Sequence, residues 1–180
     1  MTRYIYGLFY GLPLSKIIFL MIFLVLAWSK FSCCFLQKPN KKRIWKLVNG
    51  MGAICMIAVI LAVTVSTRSM GTLQVQWAPF ASFQAAKIQP EIYRSMLMNV
   101  FLFFPLGLTM PYVLPEKWKH NALLTIIFAC VFSIAIEYLQ YYFQLGRAET
   151  DDVICNTLGC FIGTISDMLS REYEKCKNSA

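Results

Sequence analysis

Ionisable and amide side chains stand inside stretches of this chain that are otherwise apolar. Glu137 and Gln140 are three residues apart, and Asp152 and Asn156 are four residues apart, so each pair would share one helix face. Asn99 is a further amide within an apolar run. Such groups are costly in lipid and mark functional sites more often than they do elsewhere. They could bind a polar ligand, and Glu137 could serve as a general acid or base.

The segment between the two pairs adds charge of both signs. Arg147 could contact phosphate, because its guanidinium group matches the geometry of that anion. In an enzyme, Glu149 and Asp152 could place a substrate or a divalent ion. Asp151 or Asp152 is well placed to cap the following helix at the positive end of its dipole, and capping is the preferred interpretation of Asp151. His120 is the only histidine, and the seven cysteines show no metal-binding spacing. The sequence therefore predicts neither a metal site nor a cofactor.

The amino-acid composition indicates which kind of secondary structure must position these side chains. The chain has 180 residues, of which 58% are hydrophobic and only 14% are charged. Globular domains contain about 45–50% apolar and about 25% charged residues, so the polar surface is too small to coat a soluble globule. The composition predicts an all-α, polytopic bundle of transmembrane helices.

Apolar stretches of roughly 20 residues are the candidate spans. They occupy residues 17–35, 47–65, 96–114, 121–143 and 153–169. The first is bracketed closely by Lys16 and Lys30, so a four-span protein with an interfacial N-terminal segment, or a signal peptide, is the alternative. We expect five spans, and we expect the first to be kept and not cleaved off as a signal peptide.

Positive charge predicts the orientation of the bundle. The net charge is +8, and eleven of the 17 basic residues fall on one side of a five-span arrangement. They are Lys30, Lys38, Lys41, Lys42, Arg43, Lys46, Lys117, Lys119, Arg171, Lys175 and Lys177. The positive-inside rule makes that side the cytoplasm, with the N-terminus outside and the C-terminus inside. The excess charge thus indicates orientation, and we expect no nucleic-acid partner. The basic stretch 38–46 could also bind anionic lipid.

Under this topology the polar groups converge at the outer ends of three helices. Pro105 should kink the third span, and Gly107 beside it allows close packing. Gly159 and Gly163 form a G-x-x-x-G pattern that lets helix backbones approach each other. Seven residues are the predicted ligand-binding or functional pocket: Asn99, Glu137, Gln140, Arg147, Glu149, Asp152 and Asn156.

Several motifs resemble those of the VanZ-like family of bacterial membrane proteins. The stretch 99–107 is similar to N-x-x-x-F-x-P-x-G, Glu137 and Gln140 to E-x-x-Q, and 146–153 to G-R-x-D-x-x-D-V. The stretch 156–163 is similar to N-T-x-G-x-x-x-G, and 77–80 to an x-x-P-F element. The resemblance covers about residues 77–163, and Glu149 stands where an aspartate is more usual. It divides the chain into N-terminal segments (1–70), a VanZ-like domain (71–170) and a cytoplasmic tail (171–180).

The resemblance implies a multi-pass protein of the bacterial cytoplasmic membrane that is linked to glycopeptide (teicoplanin) tolerance. It brings neither a reaction nor a cofactor. The expected partner is a membrane lipid or a lipid-linked envelope precursor, bound at the outer leaflet. Three alternatives stay open: an intramembrane enzyme, a small transporter that would need to form a homo-oligomer, and a purely structural polar cluster that holds the helices together.

Overall fold

The computed structural model describes residues 14–36, 39–66, 74–115 and 120–178. In chain order, its elements are α1 (Leu14–Leu36), α2 (Pro39–Leu61), a π-helical extension of α2 (Ala62–Ser66), β1 (Gln74–Gln76), α3 (Ala81–Ala85), α4 (Pro90–Val113), α5 (Asn121–Tyr142), β2 (Arg147–Glu149) and α6 (Thr150–Asn178). Five of the helices are long and apolar enough to cross a membrane, which confirms the prediction of a polytopic helical bundle.

Helix boundaries differ from the apolar stretches in the sequence. α4 begins at Pro90 and α6 begins at Thr150, and α6 continues to Asn178 through residues expected to form a tail. The basic residues after α1 largely belong to the first turns of α2, which begins at Pro39. A helix can extend beyond the hydrocarbon layer, where polar side chains carry no penalty, so its length exceeds that of its apolar core.

The closest packing in the bundle joins α4 and α6. A Cβ atom placed on Gly107 would overlap the backbone carbonyl of Cys160, and one on Gly159 would overlap that of Val100. Gly163 faces the carbonyl of Phe104 in the same way. The three glycines therefore let two parallel helices touch along their backbones. α4 continues as a helix through Pro105 and Pro111.

The other spanning helices surround this pair. Ile17, Met21 and Val25 of α1 pack against α4 and α6 in one apolar cluster. A second cluster joins Ile60 of α2 with Phe103 of α4, and includes residues of α5. α4 and α6 thus form the centre of the bundle and fix the relative positions of the remaining helices.

The expectation of an all-α chain was incomplete. β1 and β2 pair as a two-stranded parallel sheet in which Gln74 lies opposite Arg147, and Gln76 lies opposite Glu149. Strands of three residues are too short to show an alternating pattern in the sequence. This sheet attaches the segment before α3 to the turn between α5 and α6.

Candidate functional site

The predicted pocket residues lie toward one end of the bundle, where α5 ends and α4 and α6 begin. We call this the cluster end. The opposite end, where α1 and α4 end and α2 and α5 begin, is the basic end. Glu137 and Gln140 lie in the last two turns of α5, and Arg147 and Glu149 belong to β2. Which end faces the outside of the cell stays a prediction from the positive-inside rule.

Glu137 connects α5 to the turn that follows it. Its carboxylate is buried, with 7% of the residue exposed, and Oε2 accepts a hydrogen bond from the backbone N–H of Glu149 at 2.9 Å. The residues are only 12 positions apart, so the bond closes the turn between α5 and α6. A carboxylate that accepts a backbone N–H makes a stronger bond than a neutral acceptor does.

Glu149 extends this connection to Arg147 and to α3. Its Oε1 lies 3.2 Å from Nε of Arg147, and its Oε2 accepts a hydrogen bond from the Ser82 hydroxyl at 2.6 Å. The Arg147 side chain is 43% exposed, compared with 18% for that of Glu149. The arginine is therefore oriented by a more buried acid and is accessible to a ligand.

Asp151 is a central residue of the cluster end that sequence reasoning misassigned. Only 1% of it is exposed. Its two carboxylate oxygens accept hydrogen bonds from the backbone N–H groups of Phe80 at 2.6 Å and Ser82 at 2.7 Å. As expected, Asp151 lies in the first turn of α6, at the positive end of the helix dipole, but its hydrogen bonds go to Phe80 and Ser82 and not to N–H groups of α6, so the expected capping bond is corrected. Asp151 instead holds α3. Because its partner Ser82 is 69 residues away, no local pattern in the sequence indicates this contact.

Gln140 and Asn156 connect different pairs of helices. Gln140 is 1% exposed, and its Nε2 donates to the backbone oxygen of Thr64 in the π-helical end of α2 at 3.2 Å. Asn156 is also buried, and its Nδ2 donates to the Ser133 hydroxyl of α5 at 2.8 Å. Within the described residues, Oδ1 of Asn156 has no hydrogen-bond partner. That oxygen is an unused acceptor.

Asn99 lies near the level of Asn156. Its neighbour Val100 presents the backbone carbonyl that faces Gly159, and Asn156 precedes Gly159 by three residues, or about 4.5 Å along a helix. The buried Nδ2 of Asn99 makes no hydrogen bond within the part of the chain that the structure describes. An unused donor on α4 and an unused acceptor on α6 therefore occur at similar depth.

The structure thus brings together only part of the predicted pocket directly. Glu137, Arg147 and Glu149 are linked by hydrogen bonds, whereas Gln140 faces the end of α2. Asp152 is partly buried in the first turn of α6. The residues that sequence reasoning missed are partners of the cluster: Thr64, Ser82 and Ser133.

One missed feature does have a sequence signal. Asn121, Thr125, Ala129, Ser133 and Glu137 recur every fourth residue along α5, and all five are buried. This spacing places them on one helix face. This row of buried residues on α5 is therefore mostly small or polar, as expected for contacts between helices in a membrane, and the apolar Ile136 is buried beside it.

Aromatic side chains surround the cluster end. Trp77, Phe80, Tyr138 and Tyr142 are all more than half exposed. Trp and Tyr are enriched at membrane–water interfaces. Among the described residues, no three His, Cys, Asp or Glu side chains come together in a group that could hold a metal ion.

Comparison with known proteins agrees with the family that the motifs resemble. Over 72 residues the chain is 36% identical to "Protein VanZ" of Enterococcus faecium. The match covers 39% of this chain and 42% of that relative, so the chain spans less than half of the relative's length. No solved structure matches. The model of the VanZ/LLP1 family matches residues 16–170, and the chain belongs to this family.

Proposed function

We propose that the protein binds the polar head group of a membrane lipid or lipid-linked envelope precursor at the cluster end, in the bacterial cytoplasmic membrane. The observation that carries this proposal is the position of Arg147, which is 43% exposed and oriented by Glu149. A position of this arginine at head-group depth is supported by the exposed Trp77 and Tyr138 at the same end, since Trp and Tyr are enriched at membrane–water interfaces.

The chemistry of the arginine selects an anion. Guanidinium groups bind phosphate with directed, charge-assisted hydrogen bonds. Glu149 holds Nε of Arg147 at 3.2 Å, and Ser82 fixes Glu149 in turn. Because the supporting side chains are already ordered, little conformational entropy is lost when a phosphate binds.

The amides supply recognition of neutral groups. Oδ1 of Asn156 and Nδ2 of Asn99 are buried and make no hydrogen bond within the described residues. Sugar hydroxyls and peptide amides both donate and accept hydrogen bonds, so they could pair with these atoms if the helices part to admit them. A ligand that joins a phosphate to a sugar or peptide would use these amides together with Arg147, and lipid-linked envelope precursors have that chemistry.

We infer a relation to antibiotics from family membership. The relative is named VanZ, and the resemblance of the motifs implies tolerance of the glycopeptide teicoplanin. A protein that occupies or redistributes head groups at the outer leaflet would reduce the access of a lipid-anchored glycopeptide to its target. This mechanism requires binding and no turnover.

The experiment compares Arg147→Ala with Arg147→Lys and Arg43→Ala. Arg43 is exposed near the beginning of α2, so its removal changes net charge equally at the basic end. We expect Arg147→Ala to lower both teicoplanin tolerance and binding of a fluorescent lipid-linked precursor by about tenfold, which corresponds to one lost charged contact. Arg147→Lys should retain part of both, and Arg43→Ala all of both. If a correctly inserted Arg147→Ala protein behaved like wild type, the proposal would be wrong.

An intramembrane enzyme is the second candidate, and the observation that favours it is the buried Glu137 carboxylate next to the turn that carries Glu149. Glu137 would act as the general acid or base, while Glu149 and Asp152 place the substrate. The same purified protein distinguishes the two candidates. If the wild-type protein converted the precursor to a product and Glu137→Gln did not, the function would be catalysis and not binding alone.

A further inference from the structure

An apolar groove adjoins the proposed head-group site at the cluster end. Its volume is about 460 Å³, and it lies between α3, the first half of α4 and the beginning of α6. Phe83 lines it from α3, Met96 and Val100 from α4, and Cys155 and Leu158 from α6. We call this space the lateral groove.

Contacts between helices fix the walls of the lateral groove. On one side, the Asp151 carboxylate holds α3 through the backbone N–H groups of Phe80 and Ser82. On the other, the backbone of Val100 lies against Gly159, so α4 and α6 cannot separate without losing this close contact. Asp151 and Cys155 are four residues apart on α6 and share one face. The carboxylate that holds α3 therefore lies one turn from the floor of the groove.

The lateral groove opens toward the surroundings of the bundle. Its floor is buried, since Met96 is 7% and Cys155 is 2% exposed, whereas Phe83 and Leu158 on its walls are 38% and 44% exposed. The candidate membrane spans include both Met96 and Leu158, so the opening faces hydrocarbon in a bilayer. Apolar cavities offer water no hydrogen-bond partners and stay dry. The hydrocarbon chain of a lipid is therefore the chemistry that fills this groove.

Polar groups occur at one end of the groove only. Lys87 follows α3 and Tyr93 lies in the first turn of α4, both at the cluster end. Val100 lies seven residues beyond Tyr93, or about 10 Å further along the helix, and the lining around it is apolar. A lipid has the same order of polar end and chain. Its polar end would therefore lie at the cluster end, with the chain directed toward the middle of the bundle.

The short helix α3 belongs to both sites. The Ser82 hydroxyl binds Glu149, which orients Arg147, and the next residue, Phe83, lines the lateral groove. A phosphate at Arg147 and a chain in the groove would thus contact neighbouring parts of α3.

We propose that the lateral groove binds the hydrocarbon chain of the ligand whose head group Arg147 binds, and that this ligand is a polyisoprenyl phosphate lipid with a single chain. The inference rests on the proposed function and deepens it. One groove takes one chain, and a lipid-linked envelope precursor carries one polyisoprenyl chain, whereas a glycerophospholipid carries two. Because bilayer lipids are as apolar as the groove, the groove selects a chain by shape more than by gain of apolar burial.

The test compares two probes on the full-length purified protein. Both carry the same sugar–pyrophosphate head group; one has a full-length polyisoprenyl chain and the other ends after one isoprene unit. Leu158→Trp fills the groove, and we expect it to weaken binding of the long-chain probe by about tenfold while binding of the short-chain probe is unchanged. Leu123→Trp adds the same side chain at an exposed position of α5 outside the groove, and it should change neither.

Arg147→Ala distinguishes failure of the groove from failure of the head-group site. It should weaken both probes equally, because it acts on the head group. If it did so while Leu158→Trp left the long-chain probe unaffected or weakened both probes equally, the chain site would be wrong and the head-group site would stand. If only Leu158→Trp had its expected effect, the head-group site would be wrong and the chain site would stand.

Photolabelling tests the groove without a substitution. A probe with a diazirine group in its polyisoprenyl chain should label wild-type peptides that contain Met96 or Leu158, and labelling confined to other peptides would overturn the inference. A diacyl phosphatidic acid probe with a diazirine in one chain should label these peptides much less. Equal labelling by the two probes would overturn the assignment to a lipid with a single chain.

Discussion

The Asp151 carboxylate accepts a hydrogen bond of 2.7 Å from the backbone N–H of Ser82, which lies 69 residues earlier in the sequence. With the bond from Phe80 at 2.6 Å, it places a carboxylate of α6 against the backbone around the start of α3. Phe80 has a positive φ of 63°, a conformation that is uncommon for a non-glycine residue. The two bonds stabilise this local backbone and thereby position Ser82 to bind Glu149.

Replacement of Asp151 by alanine should therefore release α3 from α6. Two hydrogen bonds to a buried charged group are lost, so we expect the free energy of unfolding to fall by about 2–4 kcal/mol. Thermal unfolding in detergent measures the loss, and trypsin cleavage after the exposed Lys87 should accelerate. Glu91→Ala changes an exposed acid at the same end and is the control. Unchanged cleavage in Asp151→Ala would show that the two bonds do not hold the loop.

Close contact between α4 and α6 gives a second prediction. Gly159→Ala would place a methyl group against the backbone carbonyl of Val100. Because the contact is with backbone atoms, a change of side-chain rotamer cannot relieve the overlap. We expect a loss of stability of about 1–3 kcal/mol, as is typical when a well-packed interior is overfilled. Thermal unfolding of the purified protein measures it.

Gly50→Ala is the matched control for that substitution. Nothing lies within 4 Å of a Cβ atom at Gly50, which is also inside a helix. Alanine is favoured over glycine in a helix by about 1 kcal/mol, so this variant should equal or exceed the wild type in stability. If both alanine variants were equally stable, the backbone contact between α4 and α6 would be looser than the structure has it.

The sequence predicts the helices well because a membrane span has a minimum length, and each apolar stretch meets it. It also predicts which residues of α5 and α6 share a face, since spacing of three or four residues fixes that. It does not predict the partner of Asp151 or that of Gln140, 76 residues away at Thr64. Hydrogen bonds between distant segments depend on how helices pack, and they leave no periodic pattern.

Orientation is the third prediction. The positive-inside rule places the basic end in the cytoplasm, so alkaline phosphatase fused after Ala180 should be inactive, and the same enzyme fused after Gln89 should be active. A fluorescent protein should give the opposite pattern: it should fluoresce when it is fused after Ala180, and it should not when it is fused after Gln89. An active phosphatase after Ala180 would invert the bundle, and the cluster end would then face the cytoplasm.

The fourth prediction separates ligand binding from helix packing at Asn156. Ser133→Ala and Asn156→Ala each remove the hydrogen bond of 2.8 Å between α5 and α6, and such bonds contribute about 0.6–2 kcal/mol in membranes. If Asn156 also binds the ligand through Oδ1, Asn156→Ala should weaken precursor binding by about tenfold, whereas Ser133→Ala should weaken it much less. Equal effects of the two substitutions on binding and on thermal unfolding would mean that Asn156 only joins the helices. In a double-mutant cycle on stability, the pair should show coupling, because either single change already breaks the shared bond.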